Sequence, residues 1–346
     1  MTAASDGQPP GGAPLGRSPL LWLAHVFVRL GVLPFLLLIA VIVFALMSSR
    51  FLAWGNLVNV VRQSSYLTMV AIGQMLALLT GGFDLSVGTI IAITSVVGAM
   101  AMTALFTAYP DAVLLSIALG MLAGVGAGVA IGILNGIGVA ALGVSPFMMT
   151  LGMASIGFGI ALFLTGGVPV YGMPQEFGKV LGFGQWLGIP APIFVTVALI
   201  VFLYVLLNWT RMGRYLYAVG GNLKASALSG INTRFSLFMA YVLCGAMTAI
   251  SGIMLTARLA TGEANIGASM PLESIAACVI GGVSLRGGTG RLGNVVLGAI
   301  FIGLIQNGMN LARIESYLQI VVVGVLLIFA VVADQIRQRI MARLQD

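Results

Sequence analysis

The sequence predicts an all-α fold, a polytopic bundle of about ten transmembrane helices, and three observations carry that prediction. Hydrophobic residues make up 60% of the 346 positions and charged residues only 7%, where an average soluble chain is about 25% charged. Mean hydropathy is +1.10. Apolar runs near the ~20 residues that a helix needs to cross a bilayer recur along almost the whole chain.

Taken in order, residues 1–19 are rich in Gly, Pro, Ala and Ser and read as a disordered cytoplasmic tail. No charged region opens them, so the first apolar segment reads as a retained span and not a cleaved signal. The membrane domain is expected over 20–333, with spans at 30–47, 57–79, 87–106, 112–134, 146–164, 191–208, 235–257, 272–285, 292–311 and 317–333. The eighth is short. Residues 334–346 form a short basic cytoplasmic tail. With the N-terminus inside, eleven of the 16 basic residues fall on the cytoplasmic side: Arg17, Arg29, Arg211, Arg214, Lys224, Arg234, Arg286, Arg291, Arg337, Arg339 and Arg343. Arg50, Arg62, Lys179, Arg258 and Arg313 fall outside. That is the direction of the positive-inside rule, and an even span number puts both termini in the cytoplasm of an inner-membrane protein. The net charge of +7 therefore reflects the cytoplasmic face and membrane lipid, and no nucleic-acid partner is expected.

The fourth span carries Gly120, Gly124, Gly128, Gly132 and Gly136. Each step of four turns the helix by roughly 40°, so these glycines form a slowly winding groove. A neighbouring helix can then approach backbone to backbone, which makes this a helix-packing feature. Two segments resemble each other, G-G-F-D-L-S-V-G at 81–88 and G-G-V-S-L-R-G-G at 281–288. Gly81, Gly82, Gly281 and Gly282 are thus candidate helix breaks beside a translocation path. The longest outer loop, 165–190, is too rich in Pro and Gly for a long helix. Its Tyr171, Phe177, Phe183 and Trp186 suit the interface or a partner's surface.

Residues 210–234 turn polar, with Arg211, Arg214, Lys224 and Arg234 and no acidic residue. Inside sits a miniature helix with both ends marked. Asn222 suits the N-cap, Leu223 to Ser229 the helix, and Gly230 the left-handed position beyond it. Leu223, Ala227, Leu228 and Ile231 give it one apolar face. So short a helix needs support from outside, because nucleation costs more than two turns return. It is either an ordinary basic connector or a helix on which a soluble partner docks.

No enzyme chemistry is visible. The chain lacks G-x-x-x-x-G-K-[ST], so no ATP site is expected on it. The one histidine, His25, precedes the first span, which excludes a histidine-based catalytic or metal site in the membrane. Cys244 and Cys278 lie in apolar segments and read as small core residues. Asp84 either caps the third span or lines the path, since a charge at membrane depth is usually functional. Glu273 reads as a first-turn carboxylate favoured by the helix dipole. Asn59, Gln63, Gln74, Thr94, Asn307 and Asn310 are polar residues in or near spans, with Asn307 a candidate for the path. The scarcity of intramembrane charge argues against an ion-coupled carrier.

At this point the chain resembles the membrane permease subunit of bacterial ATP-binding-cassette (ABC) importers for ribose and related simple sugars. The matching stretches begin at Asn56 and include G-G-F-D-L-S-V-G at 81–88, S-P-F-M-M-T-L-G at 145–152 and T-G-G-V-P-V at 165–170. G-R-Y-L-Y-A-V-G-G-N-L-K-A-S-A-L-S-G-I-N at 213–232, L-E-S-I-A-A-C-V-I-G-G-V-S-L at 272–285 and G-G-T-G-R-L-G at 287–293 follow. The resemblance implies the type II importer architecture and pairing with a second permease copy or close paralogue. It also implies a cytoplasmic ABC ATPase that carries ATP and Mg, and a periplasmic sugar-binding protein. Asn222, Leu223, Lys224, Ala225, Ala227, Leu228, Gly230 and Ile231 would then form the coupling helix seated in that ATPase. Many relatives carry Asp where this chain has Glu273, which leaves the sugar open. Two other readings remain: a secondary carrier, or an ABC permease for a branched-chain amino acid, polyol or other solute.

Overall fold

The computed structural model describes residues 33–343. The predicted tail 1–19, the start of the first predicted span and the last three residues lie outside that range. Twelve helices of six residues or more organise the described residues, and they are numbered here in chain order. They are α1 (Leu33–Met47), α2 (Trp54–Leu79), α3 (Val87–Ala108), α4 (Val113–Ala140), α5 (Pro146–Thr165) and α6 (Ala191–Trp209). Then come α7 (Arg211–Gly221), α8 (Leu223–Leu228), α9 (Thr233–Leu259), α10 (Met270–Ile280), α11 (Leu292–Leu311) and α12 (Ser316–Arg343). Six of these, α3, α4, α5, α6, α9 and α11, are long and apolar enough to cross a membrane. The 26 residues of α2 also suffice in length, but its first half is polar, with Asn56, Asn59, Arg62 and Gln63.

Local chemistry explains the ends. Pro146 and Pro192 stand in the first turns of α5 and α6, where a missing N–H costs nothing. Asn232 caps α9 by accepting from the Phe235 N–H at 2.9 Å. Gly166, at φ +60°, closes α5 in the left-handed conformation.

At the centre stands α2, buried without a break from Ser64 to Leu79. It packs against α6, α9, α10 and α11, while α4 lies on α3 and α9. Lipid is as apolar as leucine, so close packing and polar contacts must hold such helices together. Both are present. The Ser251 hydroxyl of α9 donates to the Tyr66 carbonyl of α2 at 2.9 Å. Thr256 of α9 donates to Ser95 of α3 at 2.7 Å, and the Cys278 thiol of α10 to the Ala71 carbonyl at 3.2 Å. Outward, Leu46, Leu114, Leu122, Phe163, Val201 and Ile328 are exposed, as suits a surface solvated by hydrocarbon.

The glycine groove of α4 faces two helices. A Cβ on Gly124 would stand 2.6 Å from the Thr94 carbonyl of α3, and one on Gly132 2.9 Å from the Tyr241 carbonyl of α9. Gly120 meets Gly98 and Met102, Gly128 meets Thr94 and Ala249, and Gly136 meets Phe238. The winding of the groove lets one helix serve two partners in succession.

Two expectations are corrected, the length of the eighth span and the outward placing of Phe177, and two are filled in with structural detail. The eighth predicted span, 272–285, is an 11-residue helix, α10. At 1.5 Å per residue it covers roughly half of a bilayer core. The predicted tail from residue 334 begins as a continuation of α12, which runs to Arg343. The loop 165–190 contains a helical turn over 175–182 and a hairpin pairing Gln185–Trp186 with Ile189–Pro190. Phe177 in that loop is buried against Met102, Ile253 and Ala257, so it anchors the loop and is not presented outward. Tyr171, Phe183 and Trp186 are exposed.

Candidate translocation and coupling site

The local form of the miniature helix matches its sequence closely. The side chain of Asn222 accepts from the Ala225 N–H at 2.9 Å. The helix runs Leu223–Leu228, with Ser229 as its C-cap, one residue earlier than expected. Gly230 follows at φ +80°. Only Ser226 is buried. Leu223, Lys224, Ala225, Ala227, Leu228 and Gly230 are exposed, and Ile231 is half-buried. Leu228 is 91% exposed, an apolar side chain left open among the described residues.

Behind α8 lies a junction of glycines. Helix α7 ends at Gly220 and Gly221, which press on the last turn of α2 and on the loop after α10. A Cβ on Gly220 would strike the Leu79 carbonyl and stand 2.6 Å from the Gly288 nitrogen. The Gly288 N–H itself donates to the Leu79 carbonyl at 2.9 Å. On Gly287, a Cβ would stand 2.7 Å from the Gly81 nitrogen. Tyr217 of α7 donates to the Gly290 carbonyl at 2.9 Å. The two similar segments thus meet: Gly81, at φ +83°, adjoins Arg286 and Gly287, and both segments reach α8 through α7. Gly282 shares the left-handed conformation at φ +81°, whereas Gly281 is pressed against Asn294 of α11.

From this junction the chain doubles back into the bundle. Gln74, wholly buried, donates to the Asp84 carbonyl at 3.1 Å and accepts from the Asp84 N–H at 3.0 Å. The Asp84 carboxylate, also wholly buried, accepts from the Ser86 N–H at 2.8 Å and the Ser86 hydroxyl at 2.6 Å. Asn135 of α4 reaches the same carboxylate at 3.3 Å and the Ser86 hydroxyl at 2.8 Å. Asp84 therefore organises the turn before α3. In the first turn of α3, Thr89 donates to the Ala154 carbonyl, midway along α5, at 2.7 Å. So α3 begins at depth.

A second broken element meets it there. After α9 the chain pairs Gly262 with Val170 at 2.8 and 2.9 Å, then the Glu263 N–H donates to Ser95 at 3.2 Å. It next passes Gly88, where a Cβ would stand 2.5 Å from the Gly267 carbonyl. Only then does α10 start, with Pro271 and the buried Glu273 in its first turn. The N-termini of α3 and α10 face each other beside a cavity of about 260 Å³, lined by Leu85, Thr89, Ser155, Phe158, Ala268 and Pro271 among others. Broken helices around an uncharged cavity are how membrane transporters expose backbone groups to a solute. Asn307 lies elsewhere. It exchanges hydrogen bonds with Asn56 at 2.9 and 3.1 Å, clamping α11 to the start of α2.

Residues 56–331 match the family described as branched-chain amino acid transport system / permease component. The chain belongs to this family of transport permeases. Over 304 residues it is 38% identical to the ribose import permease protein RbsC of Bacillus subtilis, covering 87% of this chain and 92% of that one. The D-allose transport system permease protein AlsC of Escherichia coli is 35% identical over 87% of this chain and 90% of its own length. For the L-arabinose transport system permease protein AraH of the same organism the identity is 38%, over 78% and 80% respectively. No solved structure matches the chain.

Several residues that shape the permease's site have no mark in a local reading. Asn135 reads as one more small residue of a glycine-rich helix, although a lone amide inside an apolar span is itself a signal. Gly220 and Gly267 show their role only through backbones distant in sequence. The Asp84 network gives a test. Asp84→Ala strands buried donors on Ser86 and Asn135 and is expected to cost about 2 kcal/mol. Asp84→Asn keeps an acceptor oxygen and is expected to cost about half as much by the same principle. Thermal unfolding in detergent separates the two, and equal losses would show that the network does not hold the turn.

Proposed function

We propose that this permease is the membrane-spanning subunit of an ABC importer. It forms the path for a monosaccharide delivered by a periplasmic binding protein and driven by a separate ATPase. The observation that carries the proposal is α8, a six-residue helix with an exposed apolar face, joined through the glycine junction to both helix breaks. A helix so short gains its stability from a partner, and a cytoplasmic ATPase is the partner that a permease without a phosphate-binding loop requires. Asn222, Leu223, Lys224, Ala225, Ala227, Leu228, Gly230 and Ile231 make the coupling element. The sugar reading rests on relatives named for ribose, allose and arabinose. The family's description names branched-chain amino acids, and such a solute is the second reading.

In this proposal ten membrane segments of a type II importer, α10 being one half-length, leave both termini cytoplasmic, and two permeases pair around the path. Orientation has a direct check. Cys244 and Cys278 are buried, so cysteines placed at the exposed Lys179 and Lys224 dominate labelling. A membrane-impermeant thiol reagent on spheroplasts is expected to label Lys179→Cys and spare Lys224→Cys. The reverse pattern would invert the topology.

The function itself is tested by reconstitution. The permease co-purified with its ATPase and supplied with its binding protein is expected to take up ribose into proteoliposomes only with ATP. Uptake by the isolated permease under an ion gradient would make it a secondary carrier. Uptake of leucine in place of ribose would move the proposal to the second reading.

A further inference from the structure

At the end of α2 opposite the glycine junction, a cavity of about 270 Å³ opens between α2 and α9. Asn59, Arg62, Gln63 and Tyr66 line it from α2, and Leu255 and Arg258 from α9. The spacing of the α2 residues, at i, i+3, i+4 and i+7, puts all four on one helix face. No carboxylate lines the cavity, and neither guanidinium forms an ion pair among the described residues. One N–H of Arg62 is held by Asn59 at 2.6 Å. The guanidinium of Arg258 lies over the Phe183 ring at 4.7 Å, which occupies its face and leaves its edge donors free to point elsewhere. Tyr66 is 5% exposed, and its hydroxyl has no hydrogen-bond partner.

We infer that this cavity is a binding site for a small polyhydroxylated solute bearing an anionic group, a carboxylate or a phosphate, such as an acidic sugar derivative. The lining is dominated by donors. Two cations without a counter-ion demand an acceptor-rich, negatively charged ligand, and planar guanidiniums match carboxylate and phosphate oxygens in pairs. The amides of Asn59 and Gln63 can satisfy hydroxyls. A carboxylate from a docking protein offers similar chemistry, but Asn59, Gln63 and Tyr66 line a concave space of about 270 Å³ together with the two arginines, a size that suits a small solute. This inference rests on the proposed function in one respect: the site lies at the end where solute would be received. It adds to the monosaccharide reading that an acidic sugar derivative is held more tightly at this cavity than a neutral sugar.

The test is calorimetric binding to the full-length permease in nanodiscs, with D-gluconate as the anionic probe and D-ribose as the neutral one. Gluconate is expected to bind about tenfold or more tightly than ribose, the effect of a hydrogen bond to a charged group. Arg62→Gln and Arg258→Gln are each expected to erase that preference. Tyr66→Phe, which removes one oxygen, is expected to weaken both probes and leave the preference intact. Should one arginine variant fail to fold, the other and Tyr66→Phe still decide. Equal binding of the two probes, or a gluconate preference that survives both arginine changes, overturns the inference. So does an absence of gluconate binding combined with weaker docking of the periplasmic protein to Arg258→Gln, which would assign the arginines to a protein footprint. Binding here needs no ATPase. Its failure leaves ATP-driven uptake standing, whereas loss of ATP dependence refutes the proposed function whatever this cavity binds.

Discussion

Gly128→Leu is expected to leave the permease unable to assemble its bundle. A Cβ alone at that position would strike the Thr94 hydroxyl of α3 and stand 2.7 Å from the Ala249 Cβ of α9. Leucine adds three more carbons between helices whose backbones already touch on both sides. Over-packing a well-fitted contact costs about 1–3 kcal/mol and occasionally more. The obstacles at Gly128 itself are the side chains of Thr94, Ala249 and Ile90, and backbone contacts bracket them, with Gly124 against the Thr94 carbonyl one turn away and Gly132 against Gly245 one turn the other way, so neither neighbouring helix can withdraw without opening the next contact. The expected loss is at or beyond about 3 kcal/mol. It would be read as a lowered melting temperature in detergent together with reduced yield in the membrane. Gly126→Leu is the control, because nothing lies within 4 Å of a Cβ there. If Gly128→Leu melts like Gly126→Leu, close contact in the groove is not what holds α4 in place.

The groove was legible because its signal is local: five glycines four residues apart mark a helix face whatever lies opposite. The same holds for α8, whose cap and left-handed glycine are fixed by chemistry within ten residues. Depth was not legible. An apolar run such as 272–285 has the composition of a span, and composition cannot say that the first turn of α10 begins inside the bundle. That follows from Gly267 lying on Gly88, a contact between backbones whose chemistry is identical at any glycine. Long-range polar pairs escape for a similar reason. Asn307 was visible as an amide near a span, but its partner Asn56 is 251 positions away, and either could have faced solute. Asp84 divides the two cases. Its bond to the Ser86 N–H is a local side-chain turn that ends at the N-cap residue and does not itself cap α3, while the amides of Gln74 and Asn135 come from other helices. Phe177 was misplaced because an aromatic in a Pro- and Gly-rich loop suits an interface and a core anchor equally well.

Gly230→Val and Ala227→Trp are expected to cut coupled uptake tenfold or more while leaving the membrane bundle intact. Gly230 sits at φ +80° with no atom within 4 Å of a Cβ, so the penalty for valine is conformational and not steric crowding by neighbours. Holding a β-branched residue there costs on the order of 1–3 kcal/mol. The six residues of α8 cannot absorb this, since a helix below about 12 residues is marginal alone. The closing bonds would go first, from the Gly230 N–H to the Ala227 carbonyl at 3.0 Å and from the Ile231 N–H to the Ser226 carbonyl at 3.1 Å. Ala227 is exposed on the face with Leu223 and Leu228, where tryptophan leaves α8 formed but prevents a close-fitting partner from seating. One variant thus removes the helix and the other only its docking. Neither position is among those lining the two cavities described above. Membrane insertion, thermal stability and binding-protein docking are therefore expected to stay near wild type. Uptake in proteoliposomes and recovery of the ATPase by pull-down are expected to fall tenfold or more, as about 1.4 kcal/mol per decade implies. Gly230→Asn, which tolerates the left-handed conformation, is expected to retain most of both. Wild-type uptake by Gly230→Val and Ala227→Trp together would reduce 210–234 to a basic connector and send the search for coupling to the glycine junction behind it.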